Sequence, residues 1–393
     1  MKTLVNFRYN QDIKREKSSH LKSEVAKMNS TFRVGNLFGI PFYLHPSWFL
    51  VLALVTWDYG RFLATSFPGL GPLLPWMLGL ITALLLFASV LAHELGHSWV
   101  AKKQGIDVKS ITLFLFGGLA NLDKESKTPA EAFWVAIAGP LVSIILFGLF
   151  TAIGATTAIA GPIGAIFGMI AYINLALALF NLIPGLPLDG GNILKAIVWK
   201  ITGNPYKGIL FASRVGQLLG VVAIISGFLG NFWNILIGWF LLQNAGQSAQ
   251  AAKVQNQLAG LTAADAVTPD SPIVSDILSL REFANDYVIG KTPWTRFLVT
   301  DNAGQLAGAI ATDDIKTVPT SHWPQVQVKE LMQPINFSTA VQPDQSLLEV
   351  ATLLEQLKVQ ELPVIRDNGV LVGMIEKSGI IRLLQVRSSA NPA

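Results

Sequence analysis

Three ionisable residues lie together in one of the most apolar stretches of the chain. The segment from Ser89 to Lys103 reads SVLAHELGHSWVAKK and contains His93, Glu94 and His97. On a helix the two histidines project from one face, so both imidazoles can bind one zinc ion. Glu94 is placed to move the proton of a water bound to that ion. The alternative, a polar cluster that only hydrogen-bonds to neighbouring helices, would bury three ionisable groups without a function.

A catalytic zinc ion also needs a third protein ligand and an open position for water. Asp189 is the only acidic residue between Glu131 and Asp265, and it lies in the segment FNLIPGLPLDGGNIL, which runs from Phe180 to Leu194. Two prolines are expected to interrupt a helix in this segment, so the carboxylate can turn inward toward a metal. The alternative is that Asp-Gly-Gly is only a turn at the water interface.

The composition indicates a membrane protein joined to a soluble part. The chain has 393 residues, of which 51% are hydrophobic and 14% charged, and its mean hydropathy is +0.47. This is far more apolar than an ordinary globular protein. Fifteen of the 25 acidic residues lie between Asp265 and Glu376, so an acidic soluble part follows the apolar one. The absence of cysteine excludes disulfides, cysteine-ligated zinc and thiol catalysis.

The first 33 residues are basic, with eight Lys or Arg against three acidic residues. Beside a membrane span such a tail favours contact with anionic lipid over nucleic acid. We therefore expect the lipid bilayer, and no nucleic acid, among the partners. The tail lacks the apolar core of a signal peptide, and the sequence leaves open whether translation starts at Met1 or at Met28.

Six apolar windows of spanning or near-spanning length predict six transmembrane helices. They are Tyr43 to Trp57, Pro72 to Val100, Phe133 to Ala158, Ile163 to Ile183, Ile209 to Leu229 and Phe232 to Ala245. Lysines concentrate in the loops after the second, fourth and sixth windows, so both termini are expected in the cytoplasm. Between the second and third windows, Ile106 to Asp123 is rich in branched and aromatic residues and predicts a membrane-associated β-hairpin.

Beyond Leu261 the pattern changes to short strands and amphipathic helices. Phe297 to Val318 and Leu362 to Leu384 each read as strand, Asp-Asn turn, strand and helix, which indicates a duplicated module. The order of elements resembles a pair of CBS domains. The expected fold class is a polytopic α-helical membrane protein of about six transmembrane helices with a membrane-associated β-hairpin, followed by an α+β tandem CBS domain.

Changes in composition predict where the parts of the chain begin and end. The expected parts are a basic cytoplasmic tail over residues 1–36, a six-span membrane domain with the HELGH motif over 37–250, a linker over 251–260, tandem CBS domains over 261–386, divided into 261–320 and 326–386, and a tail over 387–393.

Four motifs together resemble one protein family. LAHELGH, LFGGLAN, AGPLVS and FNLIPGLPLDGGNIL are similar to those of the site-2 protease family of intramembrane zinc metalloproteases, peptidase family M50, and specifically of its six-span members with carboxy-terminal CBS pairs. The resemblance covers Gly39 to about Leu384. It implies a zinc metalloendopeptidase with one catalytic zinc ion per chain.

The resemblance also implies roles for individual residues. His93, His97 and Asp189 would bind the zinc ion, and Glu94 would be the base. Asn181 would hold the scissile peptide or its developing oxyanion. The alternative for Asn181 is a hydrogen bond to a helix carbonyl that the following proline leaves free.

The resemblance implies that the substrates are membrane-spanning proteins, cut near the cytoplasmic side in regulated intramembrane proteolysis after another protease has trimmed them. A peptide bond within a helix is hidden from a nucleophile, so the substrate must first be extended. The hairpin from Ile111 to Asn121 offers an edge for strand addition, and its alternative role is to plug the zinc cavity. The competing functional class is a CBS-regulated metal-binding transporter or channel without peptidase activity.

CBS modules often bind adenine nucleotides through a Thr and an Asp in Gly-x-x-Thr-x-x-Asp. The first copy, GAIATDDI, has Ala311 at the Thr position and retains Asp314, whereas the second, GMIEKSGI, has Glu376 and Gly379 there. A nucleotide contact at Asp314 is therefore a hypothesis, and a purely structural role, for example in a homodimer, is its alternative.

The expected location is the plasma membrane, crossed several times, with the CBS domains in the cytoplasm. A thylakoid-type internal membrane is the alternative. The sequence leaves open the substrate, the position of the cut and the CBS ligand.

Overall fold

The computed structural model describes residues 31–115, 117–156, 161–289, 294–334 and 340–390. The chain divides into two compact units, Met1–Ala252 and Lys253–Ala393.

The first unit is built mainly from helices. They are α1 (Ser47–Ser66), α2 (Leu74–Lys103), α3 (Pro129–Thr156), α4 (Pro162–Asn181), α5 (Asp189–Thr202), α6 (Pro205–Gly227) and α7 (Phe232–Leu258). In the described part of the chain, four of them are long and apolar enough to cross a membrane, namely α2, α3 as far as Ala155, α4 and α6.

The first and last predicted spans are not among these four helices. The window from Tyr43 to Trp57 is divided between the end of a strand and the first half of α1, whose second half contains Asp58 and Arg61. The last window is only the beginning of α7. That helix continues to Leu258 through alanines, glutamines and a lysine, which are good helix formers, so the linker expected over 251–260 is largely helical.

A four-stranded sheet accompanies the helices, in the order β1 (Phe32–Leu37), β2 (Ile40–Leu44), β3 (Val108–Phe114) and β4 (Gly117–Leu122). β3 and β4 pair antiparallel over the expected hairpin segment. β1 and β2 form a second antiparallel pair around the boundary between the expected tail and the first predicted span, and β2 joins β3 in parallel. The turn between β1 and β2 contains Phe38 and Gly39, both with positive φ, as a tight hairpin turn requires.

The sheet packs against the carboxy-terminal half of α2, where the ionisable motif lies. Ile40 from β2 and Ile111 from β3 form a buried cluster with Ala101 of α2. A second cluster joins Leu113 of β3 to Phe87 of α2. Burial of this apolar area fixes the strands beside the motif.

The chain breaks between α4 and α5, at the prolines that the sequence marks. Pro184 and Pro187 lie in the turns of residues 182–188, and the helical path resumes at Asp189. The N–H of Leu186 donates a hydrogen bond to the carbonyl oxygen of Ala212 on α6, at 3.1 Å. The broken segment is therefore held by a neighbouring helix, as an irregular backbone between apolar helices requires.

The second unit contains β5 (Ile273–Ser275), α8 (Leu280–Phe283), β6 (Arg296–Thr300), β7 (Leu306–Ala311), α9 (Val328–Leu331), α10 (Leu347–Leu357), β8 (Glu361–Ile365), β9 (Leu371–Glu376) and α11 (Lys377–Ala390). β5, β6 and β7 form one sheet, and β8 and β9 form another. Each predicted repeat contains an antiparallel strand pair. The helix expected after β7 is only a short 3-10 turn, Asp314–Thr317, whereas α11 follows β9.

Glu361 opposes Glu376 across β8 and β9, and burial raises the pKa of Glu361, with Arg296 opposing and Glu376 adding to this shift. A carboxyl group whose pKa is higher in the folded state stabilises the fold below its unfolded pKa, and this stability is lost as the pH rises. We expect Glu361→Gln to raise the thermal unfolding temperature at pH 7, with the gain shrinking toward pH 4.

Thermal unfolding of the purified chain over this pH range measures the effect. Asp344→Asn, at an exposed carboxylate, is the control and should change little. A Glu361→Gln gain that is equal at both pH values would contradict the account.

Candidate active site

Three side chains from two helices meet at one point in the first unit. α2 presents His93 and His97, and the first residue of α5 is Asp189. The two Nε2 atoms are 3.3 Å apart. Asp189 Oδ2 lies 3.0 Å from Nε2 of His93 and 3.2 Å from Nε2 of His97. Both histidines are buried.

The other nitrogen of each ring has a hydrogen-bond partner on α3. His97 Nδ1 is 2.7 Å from the carbonyl oxygen of Val135, which can only accept, so this nitrogen carries a hydrogen. His93 Nδ1 is 2.9 Å from Ser143 Oγ. In neutral His97 the Nε2 lone pair therefore faces the carboxylate of Asp189. Acceptor atoms that converge in this way repel one another unless a cation lies between them.

The spacing of the three converging atoms suits zinc. A tetrahedral zinc ion with bonds of about 2.05 Å has ligand atoms about 3.3 Å apart. The three separations here are 3.0, 3.2 and 3.3 Å. Two imidazoles and one carboxylate leave a fourth position, as in catalytic rather than structural zinc sites.

Glycines permit the close approach of α3 to α2. A Cβ atom on Gly139 of α3 would overlap Nε2 of both histidines and would lie 2.6 Å from that of His93. A Cβ atom on Gly96 of α2 would lie 2.9 Å from the carbonyl oxygen of Ala138. Because Gly139 and Gly96 have only a hydrogen as their side chain, α3 can come close enough to α2 for both Nδ1 contacts to form.

The position of Asp189 also depends on glycine. A Cβ atom on Gly190 would lie 2.5 Å from the carbonyl oxygen of Ile183, and one on Gly191 would overlap the backbone of Leu186. The Asp-Gly-Gly sequence thus lets the start of α5 fold tightly against the broken segment. The helix N-terminus carries partial positive charge, which favours a carboxylate at this place.

Glu94 lies between the histidines in sequence and faces the sheet. Its carboxylate lies near the backbone of Ala120 on β4. A Cβ atom on Gly118 of the same strand would lie 2.8 Å from Cδ of Glu94. β4 therefore holds the acid beside the three converging atoms.

A cavity of about 450 Å³ opens onto the site. Its walls come from α2, β4, the loop after β4, α3 and α5, and it is lined by His93, Glu94, His97, Asp189 and Asn181 together with Gly118, Leu119, Ala120, Asn192 and Lys195. Charged and polar side chains thus line a space between helices that are mostly apolar.

Asn181 lies at the cavity wall, at the end of α4. Its Nδ2 donates a hydrogen bond to the carbonyl oxygen of Leu177, at 3.0 Å, which is the structural alternative raised by the sequence. This hydrogen bond uses one amide hydrogen of Asn181, and the side chain can still reach the cavity.

Asp314 belongs to the second unit and takes no part in the metal cluster. Its Oδ2 accepts a hydrogen bond from the backbone N–H of Ala311, at 2.8 Å. In this arrangement the carboxylate closes the turn after β7.

Three relatives that are named as zinc metalloproteases match nearly the whole chain. A protein of Synechocystis sp. named as a zinc metalloprotease is 61% identical over 370 residues, 92% of this chain and 97% of the relative. Rip3 of Mycobacterium tuberculosis, also named as a zinc metalloprotease, is 31% identical over 376 residues, 93% of this chain and 95% of its own. A zinc metalloprotease of Methanocaldococcus jannaschii is 30% identical over 360 residues, 91% of this chain and 97% of its own.

The family model described as Peptidase family M50 matches residues 81–159 and 148–224. The chain belongs to peptidase family M50. The matched residues include α2, α3 and α5, which carry the converging atoms and their partners. The CBS domain model matches residues 328–386 in the second unit, so this M50 chain contains a CBS domain.

Sequence reasoning missed the two partners on α3. Val135 acts through its backbone carbonyl, which leaves no trace in the residue type, and Ser143 is one of many serines in apolar helices. The only signal was spacing, because Val135, Gly139 and Ser143 recur at intervals of four and share one helix face.

We expect Gly139→Ala to abolish metal binding in this M50 chain, because the added methyl group occupies the space of the two Nε2 atoms. Metal content per purified chain is the measurement. Gly148→Ala on the same helix is the matched control, since its Cβ atom would meet nothing within 4 Å. Wild-type metal content in Gly139→Ala would contradict this description of the site.

Proposed function

We propose that the chain is an intramembrane zinc endopeptidase, which hydrolyses peptide bonds in the membrane-spanning segments of tethered protein substrates. The observation that carries this proposal is the convergence of His93, His97 and Asp189 beside a polar cavity, with both histidines on a helix apolar enough to cross a membrane. The names of the full-length relatives support zinc as the metal and proteolysis as the reaction.

The residues of the site have separate chemical roles. His93, His97 and Asp189 hold the zinc ion, which when bound polarises a peptide carbonyl and activates a water molecule. Glu94 takes the proton of the attacking water and passes it to the leaving amine. The side chain of Glu94 packs against Gly118 of β4 and lines the cavity.

The substrate binds along the outer edge of β4. This strand pairs with β3 on one side, and in the described part of the chain its other edge has no strand partner. Gly118, Leu119 and Ala120 line the cavity, so an extended peptide that adds to this edge passes next to Glu94. Strand addition keeps the substrate backbone hydrogen-bonded while its own helix is unwound.

The proposed topology has six spans and both termini in the cytoplasm. α1 and α7 join the four apolar helices as the remaining spans, and β3 and β4 lie at the membrane. Lys102 and Lys103 end α2, while Lys195 and Lys200 lie on α5, on the side that lysine distribution marks as cytoplasmic. The plasma membrane is the proposed location, and the proposed substrates have been trimmed by another protease.

The proposed domain division places the protease in residues 37–250 and a tandem CBS pair in residues 261–386. The CBS pair acts as a regulator of the protease. An adenine nucleotide at Asp314 would share the carboxylate with the hydrogen bond from Ala311, which uses only Oδ2. Assembly as a homodimer through the CBS pair belongs to the same proposal.

A CBS-regulated transporter is the second candidate function, and the acid distribution weighs against it. Asp189 is the only acidic residue between Glu131 and Asp265, so the apolar helices that follow α3 provide one carboxylate rather than a relay. Transport of a metal ion or proton across the bilayer needs a series of such groups.

We expect Glu94→Gln to reduce cleavage of a reporter transmembrane substrate by at least about 10²-fold, because the amide cannot accept the proton. The variant should keep wild-type zinc, since Gln has nearly the shape of Glu and is not a ligand. Cleavage by purified enzyme in detergent, with zinc content measured on the same sample, tests both statements. Glu131→Gln, at a half-buried carboxylate outside the cavity lining, is the matched control. Full cleavage by Glu94→Gln would refute the enzyme proposal.

We expect Asn181→Ala to lower kcat by about 10²-fold if its amide donates to the developing oxyanion, with KM and zinc content little changed. If Asn181 only bonds to Leu177, kcat should stay near wild type while the stability falls slightly. Steady-state kinetics on the reporter substrate separate the two roles.

A further inference from the structure

Helix α3 contributes none of the three converging atoms, but it contacts both histidine ligands and controls their orientation. Val135, Gly139 and Ser143 recur every four residues on α3 and lie on one face. The carbonyl oxygen of Val135 contacts Nδ1 of His97, and Ser143 Oγ contacts Nδ1 of His93. Gly139, midway between them, leaves the space in which the Nε2 atoms meet.

The two contacts differ in what they permit. A carbonyl oxygen can only accept, so Val135 fixes the hydrogen of His97 on Nδ1. A hydroxyl group can accept or donate, so Ser143 must accept from Nδ1–H for the Nε2 lone pair of His93 to face a metal. Ser143 has no exposed surface and His93 only 3%, so bulk water does not replace this hydrogen bond.

From this geometry we propose that Ser143 is a positioning residue, which holds the His93 ring in the tautomer and orientation that bind zinc. The inference rests on the proposed zinc site and deepens it. Partners of ligating histidines commonly change metal affinity by about 10–100-fold when removed. Ser143 acts through His93 and has no contact with the substrate in this role.

Asp189 makes the hydroxyl necessary. Without Ser143 Oγ, a hydrogen on His93 Nδ1 would be a buried donor with no acceptor, which is costly. The other tautomer carries the hydrogen on Nε2, which lies 3.0 Å from Asp189 Oδ2 and can donate to it. That hydrogen bond satisfies two protein groups while it removes the lone pair that the metal requires. Removal of one hydroxyl therefore favours a metal-free site.

The test compares three variants of the full chain, purified in detergent, for zinc affinity by competition with a chelator. Ser143→Ala should bind zinc about 10–100-fold more weakly. Ser143→Thr keeps the hydroxyl and should stay within about threefold of wild type. Ser213→Ala on α6 is the matched control, because Ser213 is also fully buried and its hydroxyl has no hydrogen-bond partner among the described residues. It should bind zinc like the wild type.

Two further readouts separate a positioning role from a general loss of structure. Zinc-free Ser143→Ala should unfold cooperatively, at a temperature close to that of the zinc-free wild type. The visible absorption of the cobalt-substituted protein should change in Ser143→Ala and be restored in Ser143→Thr, because the spectrum reports the ligands of the ion.

Wild-type zinc affinity in Ser143→Ala, or an equal loss in Ser213→Ala, would overturn the inference. Its failure is distinguishable from failure of the proposed function, since affinity is measured without a substrate. A wild-type chain that binds zinc but cuts no transmembrane substrate would refute the protease alone. An active wild type with unchanged affinity in Ser143→Ala would refute the role of Ser143 alone.

Discussion

The structure depends on the meeting of two imidazole nitrogens and one carboxylate oxygen within 3.3 Å of one another. Three such groups are costly between apolar helices, because each has lost its hydration. A zinc ion bound there would remove that cost, since it would attract all three acceptors at once. The same constraint explains why the outer ring nitrogens are bonded to Val135 and Ser143 and why Asp189 starts a helix rather than lying within one.

Bringing the three groups together requires backbones that nearly touch, and glycine supplies the space. Gly139 opens α3 opposite the histidines, and Gly190 and Gly191 let the start of α5 fold onto the broken segment. Gly118 allows β4 to pass beside the Glu94 side chain. A methyl group at Gly139 or Gly118 would meet the imidazoles or the Glu94 side chain, and one at Gly190 or Gly191 would meet the backbone of the broken segment. The apolar helices and the small sheet thus form one support for the site.

The sequence predicted the chemistry better than the architecture. HELGH and Asp189 could be recognised because the residue types, and within HELGH their spacing, are read directly from the sequence. Four spans could be recognised because hydropathy alone defines them. The four-stranded sheet could not be recognised as a whole, since β2 joins β3 by pairing Leu44 with Leu113 across two helices, and such distant contacts have no local signal. The role of Val135 is hidden for a different reason, because any residue offers the same carbonyl. Asn181 is an intermediate case. Its residue type permits two roles, and its hydrogen bond to Leu177 is seen only in the structure.

The central claim is that two histidines and one aspartate, from a membrane helix and a broken helix end, bind one zinc ion with an open position. Zinc X-ray absorption spectroscopy of the purified chain tests it directly, because this method counts the neighbours of the ion, measures their distances and recognises imidazole rings. The account predicts one zinc per chain with four nitrogen or oxygen neighbours at about 2.0–2.1 Å, two of them imidazoles, and loss of this spectrum in His97→Ala. A six-coordinate spectrum, or an unchanged spectrum in His97→Ala, would contradict it.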